Sequence, residues 1–521
     1  MQDSQLSPIA RRRRAYTRFW RVADARERDF GIKPGYDAAM NAAPAPAPKF
    51  TRGSTMRHVA AMTATGSIGL MAIFVVDFLN LFYIAMLGEQ ELAAAIGYAG
   101  TVLFFTVSLC IGVTIAGTAL VSRALGARAR EDARRLATSS LLYMAAITIV
   151  FSLATLPLLS AVLTLFGASG RTHEIAWRFL VIVMPTTPLM GLGMACSGVL
   201  RAAGDAKRAM YVTLSGGLFT AACDPLLIFG FGLGVDGAAI TSVFSRILLA
   251  LVGLHGCIRV HNLLARPNAR AALADARPLT DIAAPAIVAN IATPVGNAIV
   301  TAAIARYGDS AVAGFAVIGR IVPLAFGAIF ALSGSIGPIL GQNYGAERFD
   351  RVGRTLIDSM ILITVYCAVM WLALILLREP AIRVFGASGD GAALIRFFCI
   401  YIAPTWLFVG ATFVANAAFN NLGFPKWSSV FNWGRATLGT IPFVWLGGTQ
   451  FGPQGVLAGQ AAGAVTSGLA AIVVALRIAD RLSDRHARPH REEVASVAPP
   501  IPPFSSGKAA TALDWADPEE K

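Results

Sequence analysis

The chain has 521 residues, 55% of them hydrophobic and 14% charged, with a formal net charge of +14. A soluble domain ordinarily carries about 25% charged residues, so this composition excludes a water-exposed bundle. The positive charge gathers in an N-terminal arm and a few short loops, and that placement argues against nucleic acid as its partner.

Residues 1–57 form the arm, with "RRRR" at Arg11–Arg14 and "NAAPAPAPK" at 41–49, the latter an extended Ala-Pro linker. It lacks the apolar core of a signal peptide and is expected to lie in the cytoplasm against anionic lipid. Twelve apolar stretches follow, near 59–87, 92–122, 137–165, 174–200, 209–231, 236–258, 282–305, 311–341, 356–377, 392–419, 428–447 and 453–476. Each is long enough to cross a bilayer as a helix. They show no strict alternation, which favours helices over barrel strands. Alternate loops, near 123–136, 201–208, 259–281, 342–355 and 420–428, hold about 16 Lys and Arg. The loops on the other side hold four: Arg171, Arg306, Arg378 and Arg383. The positive-inside rule then places the basic loops and both termini in the cytoplasm. Residues 478–521, including "APPIPP", read as a disordered tail.

The pentapeptide "FGASG" stands at Phe166–Gly170 and again at Phe385–Gly389, 219 residues later. At the same offset Pro185 falls on Pro404, Gly204 and Lys207 on Gly423 and Lys426, and Gly126-Ala127 on Gly345-Ala346. Matches in order along two units of about 190 residues indicate a duplication. Six spans per unit make the repeat parallel, related by an axis along the membrane normal. The expected architecture is therefore an all-α integral membrane protein, with twelve transmembrane helices in two six-helix lobes around a central cavity. The N-terminal lobe occupies 58–260, an inter-lobe linker 261–281 and the C-terminal lobe 282–477. Two such lobes are the design of secondary transporters. There is no "GxxxxGK[ST]" phosphate loop to suggest ATP as a driver. The six Cys have no metal-ligand spacing and read as packing residues, and no enzyme motif or metal site emerges.

"LGEQELAAAIGYAG" at 87–100, "VSRALGARAREDARR" at 121–135, "LGQNYGAERFDRVGRTL" at 340–356, "GVLRAAGDAKRAMY" at 198–211 and "CDPLLIFGFGLGVDGAAITSV" at 223–243 together resemble the multidrug and toxic compound extrusion (MATE) family of cation-coupled antiporters. The resemblance spans about 55–478. It implies export of amphipathic organic cations against protons or sodium, no cofactor, and a monomer in the bacterial inner membrane. A flippase for lipid-linked sugars, from the same wider superfamily, is the alternative.

An aspartate at mid-helix costs about 2.5–3.5 kcal/mol on insertion scales and is rarely idle. Two qualify, Asp77 in "FVVDFLNLF" on the first span and Asp224 in "AACDPLLIF" on the fifth. Asn80 lies one turn after Asp77 and Thr220 one turn before Asp224; Thr241 on the sixth span adds a hydroxyl. The family resemblance implies an ion site of this kind in the N-terminal lobe. Thr220 departs from it by standing where an amide is usual. Either Asp77 or Asn80 is the first-span ligand. Asp224-Pro225 also fits the N-cap and first position of a restarted helix. The second lobe has Asn297 near the repeat position of Asp77 and no mid-span acid, so coupling is expected to be asymmetric. Phe78, Phe219, Asn297, Phe413 and Asn416 are candidate cavity residues. Arg178, Arg246, Arg320, Arg396 and Arg435 fall within spans, mostly near an end where they can snorkel.

Overall fold

In a computed structural model, residues 48–86 and 90–497 are described. Residues 1–47 of the arm, residues 87–89 and the tail from 498 lie outside them, as do the side chains of Asp77, Phe78 and Asn80. The described chain is helical throughout: α1 Thr55–Met86, α2 Gln90–Gly126, α3 Arg130–Leu165, α4 Gly170–Val183, α5 Thr187–Ala202, α6 Ala206–Pro225, α7 Gly234–His255, α8 Ala269–Ala305, α9 Asp309–Gly345, α10 Phe349–Val384, α11 Gly389–Phe397, α12 Trp406–Asn421, α13 Lys426–Ala436 and α14 Ile441–Val497. Without water in a bilayer, helices satisfy their own backbone groups. Eleven stretches among the described residues are long and apolar enough to cross. The last, Lys426–Asp484, has 59 residues, enough to cross twice at about 20 residues a crossing. It turns at 437–440 and again at Phe451 and Gly452, where φ reaches +62°, and so supplies spans eleven and twelve.

The duplication is written into the backbone. Helices α3, α4 and α5 begin at Arg130, Gly170 and Thr187; α10, α11 and α12 begin at Phe349, Gly389 and Trp406, each 219 residues on. Short 3-10 turns at Met184–Thr186 and Ala403–Thr405 precede α5 and α12, one at each of the paired prolines. The turn after α2 puts Arg128 at φ +59°, and the turn after α9 puts Glu347 at φ +58°. A non-glycine residue seldom takes this conformation, and its recurrence at one offset shows a shared turn rather than a shared composition.

The lobes, α1–α7 and α8–α14, meet across that repeat axis on the basic side. A Cβ at Gly126 would stand 2.2 Å from the Gln342 carbonyl oxygen, and one at Gly345 would stand 2.0 Å from that of Arg123. These two contacts exchange under the repeat. On the axis itself Ser122 meets Gly341, its own counterpart, where a Cβ would lie 1.9 Å from the serine Oγ. Arg123, buried, donates to the carbonyls of Asn421 and Asn420 at 3.0 and 2.9 Å. Its counterpart Gln342 donates to Ala202 at 2.7 Å, so each lobe satisfies the C-terminal carbonyls of the other lobe's fifth helix. Farther along α2 and α9, at the repeat pair Gly100 and Gly319, no described atom stands within 4 Å of a Cβ. The lobes are closely packed on the basic side.

Several boundaries differ from expectation. The second half of the expected linker 261–281 is already helical, because α8 starts at Ala269 behind an Asn268 cap. The first helix begins at Thr55, inside the expected arm. Helix α14 runs past 478 to Val497. The orientation of the chain is open to a direct test. In a background free of native Cys, Ser169→Cys and Ser388→Cys, both beside the "FGASG" turns, should react with a membrane-impermeant maleimide added outside cells. Ala129→Cys should not, and the reverse pattern would invert the topology.

Candidate functional site

Helix α6 carries the centre of the N-terminal lobe. Its start is capped by Asp205, whose side chain accepts from the Arg208 N–H at 3.1 Å. Near its end stands Pro225, which has no N–H to offer the carbonyl four residues back. The chain then widens into a π-helical turn at Leu226–Gly230, a feature that recurs at functional sites. Helix α7 closes on that turn through Gly237, where a Cβ would lie 2.8 Å from the Leu227 carbonyl. One turn further along α7 is Thr241.

This arrangement brings Thr220, Asp224 and Thr241 together, all buried. Thr220 donates to the Gly216 carbonyl and Thr241 to the Gly237 carbonyl, both at 3.0 Å. The Asp224 carboxyl lies beside Thr241, and its Oδ1 is buried without a hydrogen-bond partner. An unsatisfied buried carboxylate oxygen is costly, and a proton or a cation is what relieves it. The helix-capping reading of Asp224-Pro225 is corrected here. Helix α6 continues through both residues into the π turn, so Asp224 caps no helix start. Helix α1 packs along α6, with Val76 against the position of Gly217. The backbone of residue 77 is thereby held beside the turn that bears Thr220; the side chains of Asp77 and Asn80 are outside the described residues.

The cavity candidates separate. Phe413 of α12 packs on Phe330 of α9 at 5.5 Å between ring centroids, and Phe330 meets Phe74 of α1 at 6.3 Å. Phe326 stacks on Trp406 at 5.0 Å in the same cluster. This aromatic floor bridges the lobes. Its signal in the sequence is the i, i+4 pair Phe326 and Phe330, two aromatic rings on one helix face. One turn beyond Phe413, Asn416 is buried with an unpartnered Oδ1. Phe219 lies apart, against Phe244, and Asn297 is exposed on α8. Phe78 has no described side chain.

Two arginines expected to snorkel do not. Arg246 is buried in α7 and donates to the Val183 carbonyl at 2.7 Å and to Thr186 Oγ1 at 3.1 Å, satisfying the helix break before α5. Arg435, in the last turn of α13, reaches inward to Thr293 of α8, and its Nε is buried without a partner. Arg178 and Arg396 instead sit near span ends and pair with Asp236 and Glu379.

The MatE family model matches residues 67–226 and 285–446, once in each lobe. The chain belongs to the MATE family. Members of this family are transporters, not enzymes. The chain is 28% identical over 407 residues to the FAD transporter of Shewanella oneidensis, covering 76% of this chain and 89% of that one. It is 24% identical over 401 residues to the multidrug export protein MepA of Staphylococcus aureus, with 75% and 86% coverage. Among solved structures it resembles the Vibrio cholerae MATE transporter VcmN in its bent form, with a TM-score of 0.77, 20% identity and coverage of 82% and 98%. It also resembles an outward-facing multidrug resistance MATE transporter, with a TM-score of 0.79, 18% identity and coverage of 85% and 100%. The fold is thus that of a two-lobed, multi-pass membrane transporter.

Proposed function

We propose that this MATE-family chain exports amphipathic organic molecules, organic cations first among them, in exchange for protons. The observation that carries the coupling is Asp224, a buried carboxylate with one unpartnered oxygen and a hydroxyl beside it. A proton needs no more than that oxygen. Protonation and substrate binding compete for the N-terminal lobe, and their exchange drives the lobes between outward- and inward-open forms. The close packing on the basic side and the likeness to an outward-facing relative support reading this as the outward-facing form. In proteoliposomes, an imposed proton gradient should drive substrate efflux and a sodium gradient should not; sodium-driven flux at zero proton gradient would overturn the assignment.

A second reading has its own support. One relative is a FAD transporter, and the unpartnered Nε of Arg435 in the C-terminal lobe suits an anionic group. Competition of FAD with a cationic dye in the same flux assay separates the two substrate classes.

If coupling belongs to the N-terminal lobe alone, Asn297→Ala should leave proton dependence intact while altering substrate KM by a few fold. Loss of proton dependence in that variant, at normal expression, would move the ion site across the axis.

A further inference from the structure

Away from the ion site, two buried carboxylates occupy related places on the basic side, and neither belongs to the chemistry described so far. Asp275 lies near the start of α8 and is 2% exposed. It accepts from the Arg135 guanidinium and, at 2.7 Å, from the Ser139 hydroxyl, both on α3. Asp358 is in α10 and is 1% exposed. It accepts from the Thr55 hydroxyl, the first residue of α1, and pairs with Arg354 at 3.1 Å. Arg354 is Arg135 moved by 219, and Asp358 is Ser139 moved by 219. Each cluster ties the first helix of one lobe to the third helix of the other, with acid and hydroxyl exchanged between the helices.

The segments leading into α1 and α8 are held the same way. Phe50 donates its N–H to Gln342 at 3.0 Å, and its carbonyl accepts from Arg351 at 3.0 Å. Ahead of α8, Ala265 donates to Thr138 at 2.8 Å, and the Leu264 carbonyl accepts from Arg134 at 3.0 Å. Each lobe's first helix therefore starts beneath the third helix of the opposite lobe. A rocking motion that opens the basic side separates those helices, and the carboxylate bonds are charge-assisted, directional contacts in its path, alongside the arginine-to-carbonyl bonds of Arg123, Arg134 and Arg351.

We propose that Asp275 with Arg135 and Ser139, and Asp358 with Arg354 and Thr55, are the two halves of a gate that holds the lobes together on the basic side and releases once in each transport cycle. These are positioning residues, and the inference rests on the two-lobe transport reading above but not on the identity of substrate or ion. Each half adds to the hold of the other, so loss of one weakens the closure and loss of both releases it.

The test uses the full chain with native Cys replaced and Ser335→Cys as reporter. Ser335 is buried where α9 meets α1, donating to the Met62 carbonyl at 3.1 Å, behind the gate. In inside-out vesicles, a membrane-impermeant maleimide should label the reporter at least tenfold faster when Asp275→Asn and Asp358→Asn are combined than in the parent. Each single variant should fall between. Labelling of the double variant at the parent rate overturns the gate. A second arm does not depend on how those variants fold: Thr55→Cys with Asp358→Cys, and Ser139→Cys with Asp275→Cys, joined by a short cleavable thiol cross-linker. Transport should stop on linking and return on cleavage. Transport that continues in the linked fraction means that the contacts need not open, and also overturns the proposal. Loss of coupling in the flux assay with both arms as expected would instead fault the ion assignment and leave the gate standing.

Discussion

Asp224→Asn should abolish gradient-driven export while leaving the protein inserted and folded. The amide keeps the shape of the carboxyl and can still meet Thr241, and a neutral side chain is easier to place at mid-helix than an aspartate, which costs about 2.5–3.5 kcal/mol there. What it cannot do is exchange a proton. Substrate-induced proton release from energised vesicles should therefore disappear, and residual substrate binding should be the same at pH 6 and pH 8. Asp77→Asn should do the same if its carboxylate shares the proton, and less if Asn80 holds the first-helix position. Should Asp224→Asn export at the wild-type rate with an unchanged pH profile, the unpartnered oxygen in α6 has no part in coupling, and the proposed mechanism fails.

Gly126→Val and Gly345→Val should each pull the closed face apart. The atoms that a Cβ would strike at these positions, 2.2 and 2.0 Å away, are backbone carbonyl oxygens of Gln342 and Arg123. A flexible side chain can step aside, but these carbonyls belong to helices α9 and α2. Overpacking of this kind costs about 1–3 kcal/mol or more, and every 1.4 kcal/mol shifts the equilibrium about tenfold. Within each lobe the packing is untouched, so the strain falls on the closed arrangement of the two lobes and not on folding. Spin labels at Ala129→Cys and Arg348→Cys should show one short distance in the parent and a second, longer one in either valine variant. An unchanged single distance with normal expression would mean that the helices slide past the obstruction without parting.

Much of the fold was legible in the sequence because bilayer thickness fixes the length of an apolar span and the duplication fixes the order. The 219-residue register, first noticed in "FGASG", reappears in helix starts, in 3-10 turns and in the left-handed residues Arg128 and Glu347. Boundaries at the membrane surface were less legible. The start of α8 at Ala269 and the pinned segment before α1 are held by contacts to the other lobe, and such contacts leave no local periodicity. At the site, Asp224, Thr220 and Thr241 were visible as polar residues with no business in apolar helices. The π turn was not, since one widened turn leaves no mark on the apolar pattern of the helix. For Arg246 and Arg435, distance from a span end does not decide where the side chain goes. Arg246 instead answers a helix break elsewhere in its lobe, and Arg435 is buried facing Thr293.

Ser122 and Gly341 touch each other because they are one position seen twice. At such a place two identical serines are crowded: the first Oγ can turn away, but the second Cβ would still stand 2.9 Å from the first Cβ. Two glycines would leave a gap at the crossing. The contact constrains the sum of the two side chains and is indifferent to which copy carries the larger one. Exchanging them, with Gly at 122 and Ser at 341, hands the same pair to the opposite lobe. Divergence of the two halves is usually read as drift or as new function, but at this crossing it eases the closing of a dimer-like interface within a single chain.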